Sequence, residues 1–396
     1  MSVAVGAALR TGAPETEELV DSYRDLATPV VKRIADADFT TQWQAMADLG
    51  VLRLAPPDAG APGPVTRSLA VIEGIGLAGA DPGLCYALAS QIFGMQFPLR
   101  DALGADAWRA VADVQDGRVL LCHALTERGG GSDPFSMRTR ARRDGDGFVL
   151  DGAKTFITAA PVADRAIVFA RTAEGRSPFA LSAFLFPLDL PGVRRGETFA
   201  KTALPTVPMG ELVFEGARLP GSALLGQEGS GLAVMASTTA WERSVILGYA
   251  LGPMRRLLSR TVEWAAGREH FGRRMGASHQ VAGRVSDMAL ALHRSRVQLY
   301  AMAGRLDAGT PARQLAAEAA LTKISVSEDY VRMTEHATAL AGVRAFLPGL
   351  PGTPGSDPGS DLAADLAGPM AALTYAGPND LLRVGVARQL GLPVEN

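Results

Sequence analysis

The sequence predicts a mainly α-helical protein with a β domain set into its middle, and three observations carry that expectation. Apolar residues recur at helical spacing from Pro14 to about Asp116. Between about residues 119 and 230 the texture changes to short β-like runs broken by Gly, Pro and Asp. From Gly231 onward long helical patterns return with few breakers. The expected division is a helical N-terminal domain over 1–118, a β domain over 119–230 and a C-terminal helical bundle over 231–396, with the two helical parts packed together.

Each element follows from its local pattern. The segments "TEELVDSYRDLATPVVKRIADA" and "SLAVIEGIGLAGADPGLCYALASQIFGMQF" place apolar residues at i, i+3 and i+4, and "APPDAGAPGPV", 55–65, between them reads as a loop. Strands are expected in "RVLLCHAL", "FVLDGAKTFIT", "RAIVFARTA", "SAFLFPLD" and "GELVFEGARL". Helices are expected over 231–266, 278–306 and 311–341. The Pro- and Gly-rich stretch 347–369 reads as a loop or a disordered segment, and "NDLLRVGVARQLG" as a last helix.

At 396 residues the chain is long enough to bury large cores. Its 39 Lys and Arg against 41 Asp and Glu leave a net charge of -2, so nothing general draws it to nucleic acid or anionic membrane. No apolar run approaches the roughly 20 residues that span a bilayer. The first residues carry no basic segment ahead of a long apolar one, so a cytoplasmic location is expected. Cys85 and Cys122 sit in apolar surroundings outside any metal-ligand spacing, and the five His are scattered. Both cysteines read as core residues in a reducing compartment, and no metal site is expected.

Two features ask for a chemical reason. "HALTERGGGSDPFSMRTRARRDGDGFVLDGAKTFITAA", 123–160, holds three consecutive glycines, which let a backbone approach a ligand closely and show it N–H groups. Taken alone this is also what a plain hairpin loop looks like, and with no helix after it the stretch is not a dinucleotide-binding fingerprint. The second feature is Glu242 followed by Arg243 inside the apolar helical run "STTAWERSVILGYALG". A surface Glu with a local partner explains it as well as a functional carboxylate does.

Read together with their neighbours, these stretches resemble the acyl-CoA dehydrogenase family. The pattern "A-x-T-E-x-x-x-G-S-D" is followed by "G-x-K-x-x-I-T". "GELVFEGARLPGSALLGQEGSGLAVM", "AAGREHFGRRMGASHQVAGRVSDMA" and "TYAGPNDLLRVGVAR" then resemble later family motifs in order, over nearly the whole chain. The resemblance implies a helical N-terminal domain, a β-barrel-like middle domain, a C-terminal four-helix bundle, bound FAD, and a homodimer or homotetramer. It implies that His123, Leu125, Thr126, Gly131 and Ser132 line one side of the flavin ring and that Phe156, Ile157 and Thr158 line another. Hydroxyls and backbone amides suit the flavin's heteroatoms, and Phe156 offers an aromatic face. In "REHFG", Arg268 resembles the residue that meets the FAD diphosphate from a neighbouring subunit, with Phe271 beside it, and Gln280 one that meets the adenosine. A guanidinium fork donates two hydrogen bonds at once to such an anion.

The resemblance also implies a base. Taking a proton from the carbon beside a thioester carbonyl needs a positioned carboxylate, and desolvation raises its pKa towards working pH. Most relatives carry it between the Tyr and Gly of a "Y-E-G-T" turn, which here reads Tyr375-Ala376-Gly377-Pro378. A minority, including the isovaleryl-type and long-chain enzymes, carry it on an earlier helix just before an Arg, and Glu242 and Arg243 fall there. Glu242 is therefore the expected catalytic base, with Arg243 orienting the site or stabilising charge near the thioester. "WERS" followed by "ILGYALGPMRRLL" is similar to a subgroup acting on acyl groups tethered to carrier proteins in secondary metabolism. The expected partners are an acyl thioester of CoA or of a carrier protein, and an electron-acceptor flavoprotein or oxygen.

The sequence departs from the family pattern at three places. The Pro after "T-E" is Arg128, the "Q-x-x-G-G-x-G" turn is reduced to the segment Thr338 to Arg344, and 347–369 replaces an Arg-Asp pair before the last helix. Two alternatives stand beside the dehydrogenase: a flavin monooxygenase on the same fold, which needs no substrate base, and a non-catalytic binding or assembly subunit, consistent with the missing Glu of the Tyr375–Pro378 turn.

Overall fold

The computed structural model describes residues 13–54, 62–102, 112–346 and 366–394. Most of the loop expected at 55–65 and of the segment 347–369 lies outside the described residues. Within those stretches Pro64 and Val65 open one helix, and residues 367–369 belong to a short one, Ala367–Ala371. These are corrections to the sequence reading. Proline is tolerated in a helix's first turn, where its missing N–H has no partner anyway.

Helix α1 (Pro14–Arg33) begins with Pro14 and acidic Glu15 and Glu17 and ends in Lys32 and Arg33, an order that suits the helix dipole. Helix α2 (Phe39–Asp48) is capped by Asp38, whose carboxylate accepts the Thr41 N–H at 2.8 Å. Helix α3 (Pro64–Ala78) is apolar on most sides and is accordingly buried, ending at Gly79 in the left-handed region. Helix α4 (Pro82–Ala89), capped by Asp81, runs directly into a π-helical turn, Ser90–Gln96.

The middle of the chain forms a curled seven-stranded sheet in the order β1-β4-β2-β3-β7-β6, with β5 paired to β4. The strands are β1 (Leu121–Ala124), β2 (Arg140–Asp144), β3 (Gly147–Thr158), β4 (Arg165–Arg171), β5 (Leu181–Pro187), β6 (Val193–Thr198) and β7 (Met209–Leu219). β1 runs parallel to β4, while β3 pairs antiparallel with both β2 and β7. β2 and β6 were not among the expected strands, because their outward positions are charged and largely exposed and show no strong apolar alternation. The register of β3 on β7 slips between Lys154 and Ile157, and within that slip Phe156 adopts a φ of 57°. Such a bulge re-aims side chains, and here it leaves Phe156 54% exposed while Ile157 beside it is buried.

The expected helix 231–266 is two helices, α6 (Gly231–Val245) and α7 (Gly248–Gly267), counting the short α5 (Ala112–Gln115) before them. Helix α8 (His279–Asp307) follows, and α9 (Ala316–Ala341) begins after a 3-10 turn at Ala312–Leu315, later than expected. After the short α10 (Ala367–Ala371), α11 (Asn379–Gln389) closes the described chain.

One apolar core joins the two helical parts, from Ala27 and Trp43 through Phe93 and Tyr249 to Met333 and Ala372. A buried ion network crosses the same boundary. Glu73 on α3 meets Arg255 of α7 at 2.9 Å and Arg296 of α8 at 2.8 Å, and accepts a hydrogen bond from the Tyr300 hydroxyl at 2.7 Å. Arg296 also pairs with Glu17 of α1 at 2.9 Å. The sheet has its own core around Phe148, Phe184, Phe186 and Phe214. Cys85 and Cys122 are both buried and free. No helix among the described residues is long and apolar enough to cross a membrane.

Candidate active site

A cleft of about 1060 Å³ opens where α4, the sheet and the C-terminal helices converge. That is at the upper end of small-ligand sites, which run roughly 300–1000 Å³, so it has room for a ring system and a second ligand. His123, Leu125, Thr126, Gly131, Ser132, Phe156, Ile157 and Thr158 all line it, from β1, the loop after β1 and the end of β3. Glu242 and Arg243 line it from α6.

The glycine loop owes its shape to an internal clamp. Glu127 accepts hydrogen bonds from the backbone N–H of Arg138 at 2.7 Å and of Thr139 at 2.9 Å, and Lys154 Nζ meets it at 2.9 Å. Lys154 also donates to the Leu125 carbonyl at 3.1 Å. Burial pulls the Lys154 ammonium down to about 8, against the pull of Glu127. The Glu and Lys of the two motifs are thus structural, tying the loop after β1 to the middle of β3. Gly131 lets the loop close on Thr126: a Cβ there would lie 2.6 Å from its Oγ1, and the hydroxyl would have to move. Arg128 points away from the cleft wall and pairs with Glu211 at 2.9 Å, which binds the loop to β7. His123 is within 3.2 Å of the Thr238 hydroxyl, and burial lowers its imidazole to about 4, so it is neutral.

Glu242 is only partly accessible, and what access it has is to the cleft. No hydrogen bond holds its carboxylate among the described residues, and burial raises its pKa, against the opposing pull of Arg243 and Lys323. A carboxylate kept out of water without a hydrogen-bonded partner is costly, and folded proteins retain such groups chiefly at functional sites. Gly94 of the π-helical turn faces it, and a Cβ there would make an ordinary 3.8 Å contact with Cγ of Glu242.

Beside Glu242 two cations grip the turn Tyr375-Ala376-Gly377. Arg243 Nε donates to the Ala376 carbonyl at 2.7 Å, and Lys323 Nζ donates to the Gly377 carbonyl at 2.9 Å and to Oδ1 of Asn379 at 2.7 Å. The Tyr249 and Tyr375 hydroxyls share a hydrogen bond of 2.6 Å, with the Tyr86 ring 4.8 Å from that of Tyr375. Tyr86, Lys323 and Gln91 were missed from sequence. The one available signal was Lys323 itself, a lysine on the buried face of α9 between Ala319 and Ser327.

Arg268, Phe271 and Gln280 lie elsewhere. They sit at the end of α7, on the short hairpin after it and at the start of α8, and none lines the cleft. Phe271 is 91% exposed, with a φ of 50°.

The donor set fits a flavin: an apolar floor from Leu125 and Ile157, the hydroxyls of Thr126, Ser132 and Thr158, the ring of Phe156, and a glycine packed close against Thr126. A helix–sheet–helix fold with such a cleft at the junction and an unpaired carboxylate in its wall defines a flavin-dependent oxidoreductase. Residues 122–217 match the acyl-CoA dehydrogenase middle domain, and 229–391 match the C-terminal domain of the same family. The L-prolyl-[peptidyl-carrier protein] dehydrogenase of Serratia sp. is 31% identical over 81% of this chain and 80% of the relative. The FAD complex of PigA superposes with a TM-score of 0.84 at 28% identity, over 97% of this chain and 99% of that one. The prolyl acyl carrier protein oxidase AnaB gives 0.85 at 25% identity, over 96% and 100%. The chain belongs to the acyl-CoA dehydrogenase family, and FAD is its cofactor.

Proposed function

We propose that this protein dehydrogenates an acyl or aminoacyl thioester between its α- and β-carbons, with Glu242 as the base and the substrate carried on a carrier protein. The observation that carries the reading is the carboxylate of Glu242, unpaired and raised in pKa, in the wall of the cleft that also presents the flavin-site residues. Carrier-protein tethering is supported by the relatives, two of which are named for a prolyl group on such a carrier.

Glu242 takes the α-proton. Bound FAD supplies the acceptor for the hydride that leaves the β-carbon, so the acyl group loses two hydrogens and gains a double bond. Arg243 and Lys323 neutralise the carbonyl ends of the Tyr375–Gly377 turn and fix its backbone opposite Glu242. The enclosing rings of Tyr86 and Tyr375 keep water from the reacting carbons. Arg268, half-buried, and Phe271 and Gln280, exposed, all lie outside the cleft and reach the FAD of a neighbouring subunit in a homodimer or homotetramer.

The test is anaerobic mixing of purified holoenzyme with a panel of CoA and carrier-protein thioesters. At least one bleaches the flavin of the wild type, and Glu242→Gln keeps FAD but loses bleaching by about 10²–10⁴-fold. Full activity in that variant would refute the base assignment.

A further inference from the structure

Gln91 stands in the cleft wall on the π-helical turn Ser90–Gln96 and is fully enclosed. Its Oε1 accepts the Leu121 N–H at 3.2 Å, at the head of β1, which fixes the end of the amide that faces the strand. The Nε2 end is buried and has no hydrogen-bond partner among the described residues. Folded proteins rarely leave such a donor bare. Met95, Leu120 and Leu121 are apolar residues of the same cleft wall. A π-helical turn is itself a backbone form that recurs at functional sites. The same turn faces the base through Gly94, three residues on from Gln91.

We propose that Gln91 reads the acyl group: its Nε2 donates to a hydrogen-bond acceptor on the substrate held in the cleft that Gln91 and Glu242 both line. The inference rests on the thioester-dehydrogenase reading above and narrows its substrate class. The acyl group carries an ether oxygen, a carbonyl or an uncharged ring nitrogen, and is not a plain alkyl or cycloalkyl chain. A protonated amine offers only donors and does not satisfy this amide. A site built to hydrogen-bond one substrate rejects the analogue that lacks the partner, because its own buried donor is then left unpaired.

The experiment reduces the holoenzyme anaerobically with matched pantetheine thioesters, tetrahydrofuran-2-carbonyl and tetrahydrofuran-3-carbonyl against cyclopentanecarbonyl, in the wild type and in Gln91→Leu. Comparing the two proteins cancels the rings' different intrinsic acidities. The preference for an oxygen ring, as a ratio of kcat/KM, should fall at least about tenfold in the variant, with FAD retained. Gln91→Met, closer in length, repeats the measurement if the Leu variant is insoluble. An unchanged ratio overturns the inference and leaves the dehydrogenase reading standing. Loss of FAD from the variant assigns the amide to the cofactor and also overturns it. If no thioester of any kind bleaches the wild-type flavin, both readings fall.

Discussion

Arg243 Nε lies 2.7 Å from the carbonyl oxygen of Ala376, so the helix that presents Glu242 is latched to the turn where most relatives carry their base. Two candidate positions for one carboxylate therefore face the same cleft from adjoining walls. Ala376 already holds a φ of 53°, so a longer side chain there asks no new strain of the backbone. Glu242→Ala should lose flavin reduction by about 10²–10⁴-fold, and adding Ala376→Glu should recover at least about tenfold of it. A double variant that binds FAD yet recovers nothing would show that the turn does not reach the reacting carbon.

The pH profile follows from two buried groups of opposite sign. Burial holds the Glu242 carboxyl above the ordinary carboxylate range, while burial, helped by Arg243, brings Lys323 down to about 8. Flavin reduction should rise with pH as Glu242 ionises and fall near pH 8 as Lys323 loses the charge that holds the Gly377 carbonyl. Lys323→Met should abolish the alkaline limb; an unaltered limb in that variant assigns it to another group. Stability runs the other way on the acid side. A carboxyl with a raised folded pKa keeps its proton longer in the native state, so stability declines as pH climbs from the unfolded value through the folded one. Glu242→Gln should flatten that decline in denaturant midpoints.

Removing Glu73 should damage the fold and spare the chemistry. Its carboxylate is fully buried between Arg255 and Arg296, and those two charges hold it ionised although burial opposes it. Glu73→Ala takes the shared carboxylate from buried Arg255 and leaves Arg296 with Glu17 as a partner, a loss of about 3–5 kcal/mol, readable as a large drop in Tm. A change below about 1 kcal/mol would mean that the network adds little to the seam between the helical parts.

Subunit complementation tests the placement of Arg268. Glu242→Gln and Arg268→Ala proteins, each nearly inactive alone, are unfolded together, refolded and supplied with FAD. If Arg268 serves the neighbour's cofactor, mixed dimers hold one intact site, and about a quarter of wild-type activity returns by random pairing. No recovery from a verified mixed dimer would place Arg268 in its own subunit's site or in none.

Much of this architecture could be read before any coordinates. The switch from a period near 3.6 to a period near 2 and back separates the helices from the strands, since core-facing residues must repeat with the element that carries them. Glu242 is legible in the sequence because a carboxylate on an apolar helical run needs a reason. The charged strands β2 and β6 escaped notice because an outward, solvated face leaves little apolar alternation. Lys323 and Gln91 escaped because their partners, Gly377 and Leu121, are 54 and 30 residues away in the chain.

By itself the sequence determined the order of helices, strands and helices, the glycine loop with its Thr126 and Ser132, and a carboxylate before Arg243. Those properties are local, set by periodicity, turn chemistry and residue type over a few turns of chain. Only the tertiary structure decided that Glu242 goes unpaired in the cleft, that Arg243 and Lys323 close on consecutive carbonyls, and that Gln91 keeps a bare donor. Each of these depends on which distant groups arrive to satisfy a buried charge or amide, and that is fixed by packing across the seam.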